Sequence, residues 1–135
     1  MAEEWLLRGR VRSGAGRGAF FTQLDWVQEQ CLARLGFRPY AGTLNIEVNP
    51  GDIPLVEEMQ REEGIELVPP DPEFCRGRTL YADLGGFTGA LIIPEESVRI
   101  HGTNIIEVMA GVGLKQALNL KDGDPVTILV KKAFS

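Results

Sequence analysis

The stretch Leu35-Gly36-Phe37-Arg38-Pro39-Tyr40-Ala41-Gly42-Thr43-Leu44-Asn45-Ile46-Glu47-Val48 decides how the chain folds. From Thr43 onward polar and apolar residues alternate with a period of two. Extended backbone sends Leu44, Ile46 and Val48 to one face and Thr43, Asn45 and Glu47 to the other. The first face supplies core. The second carries a hydroxyl, a carboxamide and a carboxylate in a row, reached through a turn at Gly42. Hard oxygen donors of this kind suit a cation such as Mg²⁺, which keeps several waters and takes further ligands from a phosphate. A half-exposed strand with ordinary polar residues outside accounts for the same pattern, and both readings stay open at this point.

Upstream, Thr22-Gln23-Leu24-Asp25 has the form of a capping box. Leu24, Val27, Cys31, Leu32 and Leu35 follow at helical spacing, and Gly36 occupies the position of a helix C-cap. A helix therefore delivers the chain to the 43–48 strand, with Trp26 off its apolar stripe. Before it, Trp5, Leu7, Gly9 and Val11 alternate with Leu6, Arg8 and Arg10 in a first strand. Ser13-Gly14-Ala15-Gly16-Arg17-Gly18 comes next, then a β-prone run, Ala19 to Thr22. Alternate glycines let backbone N–H groups approach an anion closely. No Gly-Lys-Ser/Thr follows, so this is not a Walker loop, and a flexible hairpin is the competing reading.

Downstream, Asn49 to Asp52 is a turn and Ile53 to Gly64 a short acidic helix. Ile65 to Val68 and the runs around Leu80–Leu84 and Phe87–Ile93 are strands, the last two joined as a hairpin through Gly85-Gly86. Glu95 to Asn104 is a polar loop, and Ile105 to Ala110 a strand that carries Glu107 between apolar neighbours. A short helical piece, Leu114 to Leu118, precedes an Asp122-Gly123-Asp124 turn and a final strand, Val126 to Lys132. Many short strands, few short helices and no regular strand–helix alternation point to a small closed β-barrel with inserted helices.

Composition bounds the rest. One domain fits 135 residues, with 44% hydrophobic and 24% charged side chains. A net charge of −5 argues against a nucleic-acid partner gripped through its phosphates. Cys31 and Cys75 lack CxxC spacing and His101 is the single histidine, so a Cys/His zinc site has no ligands. No signal peptide or membrane-length run is evident, and a cytoplasmic location without membrane contact is expected.

Four segments together resemble the archaeal-type CTP-dependent riboflavin kinase family. They are Gly9-x-Val11-x-Ser13-Gly14-x-Gly16-x-Gly18; Leu35-Gly36-Phe37-x-Pro39-Tyr40-x-Gly42-Thr43-Leu44-Asn45; Ile105-Ile106-Glu107; and Leu118-x-Leu120-x-Asp122-Gly123-Asp124-x-Val126. The resemblance spans nearly the whole chain. It implies a mainly β, six-stranded closed cradle-loop barrel that transfers the γ-phosphate of CTP to the 5′-hydroxyl of riboflavin, giving FMN and CDP. It further implies that Ala15, Gly16, Arg17, Gly18, Ala19 and Phe20 wrap the nucleotide phosphates, while Val112, Gly113, Leu114 and Lys115 line the cytidine site. Thr43 and Asn45 would hold Mg²⁺, Ser97 and Glu107 would contact the flavin, and Glu107 is the candidate catalytic base. Arg17 stands where the family carries an acidic residue, Lys115 where an arginine is common, and the 97–104 loop is longer. Family members often have an N-terminal winged-helix domain. This chain starts directly at the barrel, so a single-domain, stand-alone, monomeric kinase with two small-molecule substrates is expected. A non-catalytic flavin- or nucleotide-binding barrel and a small regulatory swapped-hairpin barrel are the rival classes.

Overall fold

The computed structural model describes residues 3–13, 21–70, 77–94 and 104–132. Seven strands run in the order β3-β4-β5-β6-β2-β1-β7, and an additional β4–β7 pairing closes the last six on themselves. Strands β1 (Glu4–Arg12), β2 (Leu44–Val48), β4 (Gly77–Leu84), β5 (Phe87–Pro94), β6 (Ile105–Ala110) and β7 (Pro125–Lys131) thereby close a six-stranded antiparallel barrel. The short β3 (Ile65–Leu67) lies outside it, paired to β4 alone. Closure leaves the barrel without a free sheet edge.

The expected alternation holds. Trp5, Leu7 and Val11 of β1 and Leu44, Ile46 and Val48 of β2 point into the barrel, where they meet Leu80, Leu91, Ile106, Val108, Ile128 and Val130. Gly9 shares the inward face of β1. A Cβ there would run into the Glu47 carbonyl oxygen and Ile46 Cγ2, so β1 and β2 reach their packing distance only with glycine. Helix α2 (Ile53–Met59), entered through a 3₁₀ turn at Pro50–Asp52, adds Val56 and Met59 to the same interior.

Helix α1 (Asp25–Leu35) packs outside the barrel, placing Val27, Cys31 and Leu35 against Leu67, Ala90 and Met109. Burial pushes the Cys31 thiol up to about 11. Gly36 ends the helix in the left-handed conformation, its N–H bonded to the Cys31 carbonyl. Leu32, expected on the apolar stripe, is 45% exposed. The start of the helix also differs from expectation. Leu24 is the N-cap, and no side chain caps the helix. Phe21 and Thr22 are helical rather than extended, and the Thr22 hydroxyl accepts a bond from the Gly42 N–H at 3.0 Å. Trp26 is half-buried and meets the Phe21 ring edge-on at a centroid distance of 6.0 Å.

Candidate functional site

The site grows from two strand pairings. β2 lies antiparallel to β6 with Asn45 opposite Glu107, and on its other side to β1 with Asn45 opposite Arg12. Residues directly opposite across a ladder project from the same face. Arg12, Asn45 and Glu107 therefore form one row on the outside of the barrel, and Thr43 extends it at the end of β2. The Thr43 hydroxyl donates to Glu107 Oε1 at 2.8 Å. Glu107 is half-buried, not a solvent-facing strand residue. Asn45 is only 9% exposed, yet among the described residues its carboxamide makes no side-chain hydrogen bond. Its carboxamide atoms are not among the buried polar atoms left without a partner, so they keep contact with solvent and stay open to a ligand. Glu47, next along the same face, is bound by the Arg12 guanidinium at 2.8 Å.

Thr43 also borders a cleft of about 280 Å³. One wall is Tyr40, Ala41 and Gly42; the other is Val112, Gly113, Lys115 and Gln116, with Leu44, Val108 and Ala110 at its floor. The first wall is held from behind. Tyr40 N–H donates to the Ala110 carbonyl at 2.7 Å, and Gln28 Nε2 donates to the carbonyls of Thr22 (2.6 Å) and Pro39 (2.8 Å). Gly42 has φ +108°, a conformation that other residues rarely adopt, and the Thr22 hydroxyl fixes its N–H. Tyr40 and Val112 are 44% and 40% exposed, two large apolar side chains facing one opening. The Tyr40 ring lies so close to Gly113 that a Cβ there would come within 3.0 Å of it.

The second wall is helix α3 (Leu114–Ala117) and the turn before it. Leu114 buries its side chain in the barrel interior. Lys115 is exposed, and its Nζ donates to Asp122 Oδ1 at 2.8 Å, while Ser13 Oγ donates to the other carboxylate oxygen, Oδ2. The Lys115 hydrogen bond, then that of Ser13, holds the Asp122 carboxyl below the usual carboxylate range.

Seven expected site residues thus meet in one region. Thr43, Asn45 and Glu107 form a polar cluster on the barrel wall, and Val112 and Lys115 border the cleft that Thr43 joins to it. Gly113 and the backbone of Leu114 complete that border. Ala15 to Phe20 and Ser97 lie outside the described residues. Tyr40 and Gln116 were not singled out by residue-level reasoning, although Tyr40 lies within the stretch that decides the fold. Asp122 was visible as a turn residue within the fourth segment of the resemblance, with no role assigned to it.

Comparison with known proteins adds identity to this geometry. The family model CTP-dep_RFKase, described as a domain of unknown function, DUF120, matches residues 11–130. The chain is 39% identical over 129 residues to a riboflavin kinase of Pyrobaculum aerophilum, covering 90% of this chain and 59% of that protein. It is 32% identical over 127 residues to a riboflavin kinase of Archaeoglobus fulgidus, with 92% and 54% covered. A riboflavin kinase of Methanobrevibacter smithii is 33% identical over 121 residues, with 89% of this chain and 95% of that protein covered. The chain spans 58% to 60% of the length of the Pyrobaculum relatives. A match from residue 11 to residue 130, reaching from the end of β1 into β7, makes this chain a member of the CTP-dep_RFKase family.

Proposed function

We propose that the chain is a CTP-dependent riboflavin kinase, and the Thr43–Asn45–Glu107 cluster beside the cleft is the observation that carries the proposal. The names of the family and of its relatives support the same reading. Within it, the barrel works as a monomer in the cytoplasm on two small molecules. No helix among the described residues is long and apolar enough to cross a membrane.

The donor set fits Mg²⁺: a threonine hydroxyl and, from a residue only 9% exposed, a carboxamide oxygen with no side-chain hydrogen bond among the described residues. Thr43 and Asn45 would hold the ion, which when bound neutralises phosphate charge. The chain's own residues supply alignment. Val112 to Lys115 and Tyr40 enclose the nucleoside, with the Lys115 ammonium at the border where the polyphosphate passes toward Thr43. Glu107 Oε1 is engaged by Thr43, which leaves Oε2 to receive a proton from the riboflavin 5′-hydroxyl. As that oxygen bonds to the γ-phosphorus, the bond from phosphorus to the β–γ bridging oxygen breaks, and CDP leaves with FMN as the other product. Phosphoryl transfer of this kind depends mainly on positioning and charge neutralisation. Ala15 to Phe20 would wrap the phosphates and Ser97 would contact the flavin, as the family resemblance implies.

The test is incubation with riboflavin, Mg²⁺ and each nucleoside triphosphate in turn, followed by chromatography. FMN forms, with CTP preferred over ATP. Equal rates with CTP and ATP would discard the nucleotide preference. Absence of FMN with every triphosphate would favour a binding barrel without turnover.

A further inference from the structure

The Lys121–Asp124 turn carries two aspartates with different work. Asp124 serves the turn itself: its Oδ2 accepts from the Lys121 N–H at 2.8 Å. The backbone pins the turn to the end of β1, through Gly123 N–H to the Val11 carbonyl (2.8 Å) and Val11 N–H to the Asp124 carbonyl (2.9 Å). Arg10 adds a third tie to the Gly123 carbonyl at 2.9 Å. Asp122 takes no part in any of this. Both its carboxylate oxygens face away from the turn, one toward Ser13 and one toward Lys115. The Lys115 pair is about half exposed, 47% and 52%, and ion pairs of that kind add little to stability. The turn keeps its shape without Asp122, so the carboxylate's effect falls on Lys115.

Resting on the kinase reading above, we infer that Asp122 is a positioning residue for the nucleotide, holding the Lys115 ammonium at the cleft border where the polyphosphate arrives. An ammonium has three donors. Asp122 occupies one and leaves two for phosphate oxygens, with the long side chain already ordered before the ligand binds. Ordering a flexible lysine in advance removes part of the entropy cost of binding. Ser13, the residue before the glycine-rich segment, fixes the carboxylate from the opposite side. Arg12 adds a smaller positive field that favours the charged carboxylate, after Lys115 and Ser13. Asp122 touches no reacting atom; it acts through Lys115.

The experiment compares wild type, Asp122→Asn, Lys115→Met and the double variant by steady-state kinetics and by calorimetric titration with Mg²⁺–CTP. Asp122→Asn raises the KM and Kd for CTP about tenfold, the scale of one charge-assisted hydrogen bond. Its kcat, its KM for riboflavin and its melting midpoint stay close to wild type. In the Lys115→Met background the same change has no further effect, because its target is gone. Unaltered CTP affinity in Asp122→Asn, or additive losses in the double variant, would overturn the inference while leaving the kinase reading in place. If the wild type binds CTP but forms no FMN, the kinase reading fails and the titrations alone decide on Asp122. If the wild type binds no CTP, both fall.

Discussion

Glu107 has one oxygen tied to the Thr43 hydroxyl and one free of that bond, an asymmetry with kinetic consequences. Glu107→Gln preserves the shape and the Thr43 contact while removing the proposed proton acceptor. It should lower kcat by about two to four orders of magnitude, the usual contribution of a positioned base, and leave CTP affinity nearly unchanged. Rapid-quench measurement of FMN formation beside calorimetric CTP titration separates the two effects. Retained kcat with weaker riboflavin binding would make Glu107 a flavin-holding residue instead. Asn45 is tested differently. Its carboxamide makes no side-chain hydrogen bond among the described residues, so Asn45→Ala removes none. The expected outcome is an Mg²⁺ requirement shifted at least about tenfold upward, with the melting midpoint moved by only about 2 °C or less. Titrating activity against Mg²⁺ at fixed CTP reads the first, and calorimetry the second.

At the scale of elements, the cleft depends on how α1 meets the loop that precedes β2. Thr22 is fully buried, and its hydroxyl holds the Gly42 N–H next to Thr43. Thr22→Val keeps the volume and deletes that acceptor. It should cost about 1–3 kcal/mol of stability, the range for orphaning a buried polar partner. It should also raise the KM for CTP, because the Tyr40–Thr43 wall loosens; denaturant melts and steady-state kinetics give the two readouts. This contact was not legible in the sequence. Thr22-Gln23-Leu24-Asp25 fits a capping box by local spacing, but a partner twenty positions away competes for the hydroxyl, and a local pattern cannot register it. β2 was legible because a period of two over six residues has one sensible burial solution. The meeting of Asn45 with Glu107 was not, since it needs the register of β2 against β6. The cleft residues Val112 to Lys115 came from family resemblance, as nothing in their own chemistry marks them. Helix α1 offers a further check through Cys31. With its thiol pushed up to about 11 by burial, it stays protonated at neutral and mildly alkaline pH, and only the thiolate reacts. In a Cys75→Ser background, a disulfide reagent should label Cys31 negligibly at pH 8 in the native state and fully after denaturation. Fast native labelling would mean that α1 opens readily.

At the scale of the whole molecule, the barrel interior is one packed cluster to which every barrel strand contributes. Ile46 sits within it, 1% exposed, on the strand whose outer face carries the metal-binding candidate Asn45. Ile46→Ala should cost about 2–5 kcal/mol, measured by denaturant unfolding, because the surrounding strands cannot collapse into the space. A loss well below that range would indicate an interior that repacks freely. The same closure shapes how the protein comes off the ribosome. β7 pairs with β1 across residues 4–10 and with β4 across residues 81–83, so both partners wait for nearly the whole barrel sequence to be synthesised. Until then β1 and β4 each present a bare edge, and contacts so distant along the chain form slowly. A nascent chain arrested before residue 125 should therefore remain protease-sensitive, and release of β7 should be the step that brings resistance. Translation must pass residue 131 before the barrel can close, which makes it a natural client for whatever shields unpaired strands near the exit tunnel.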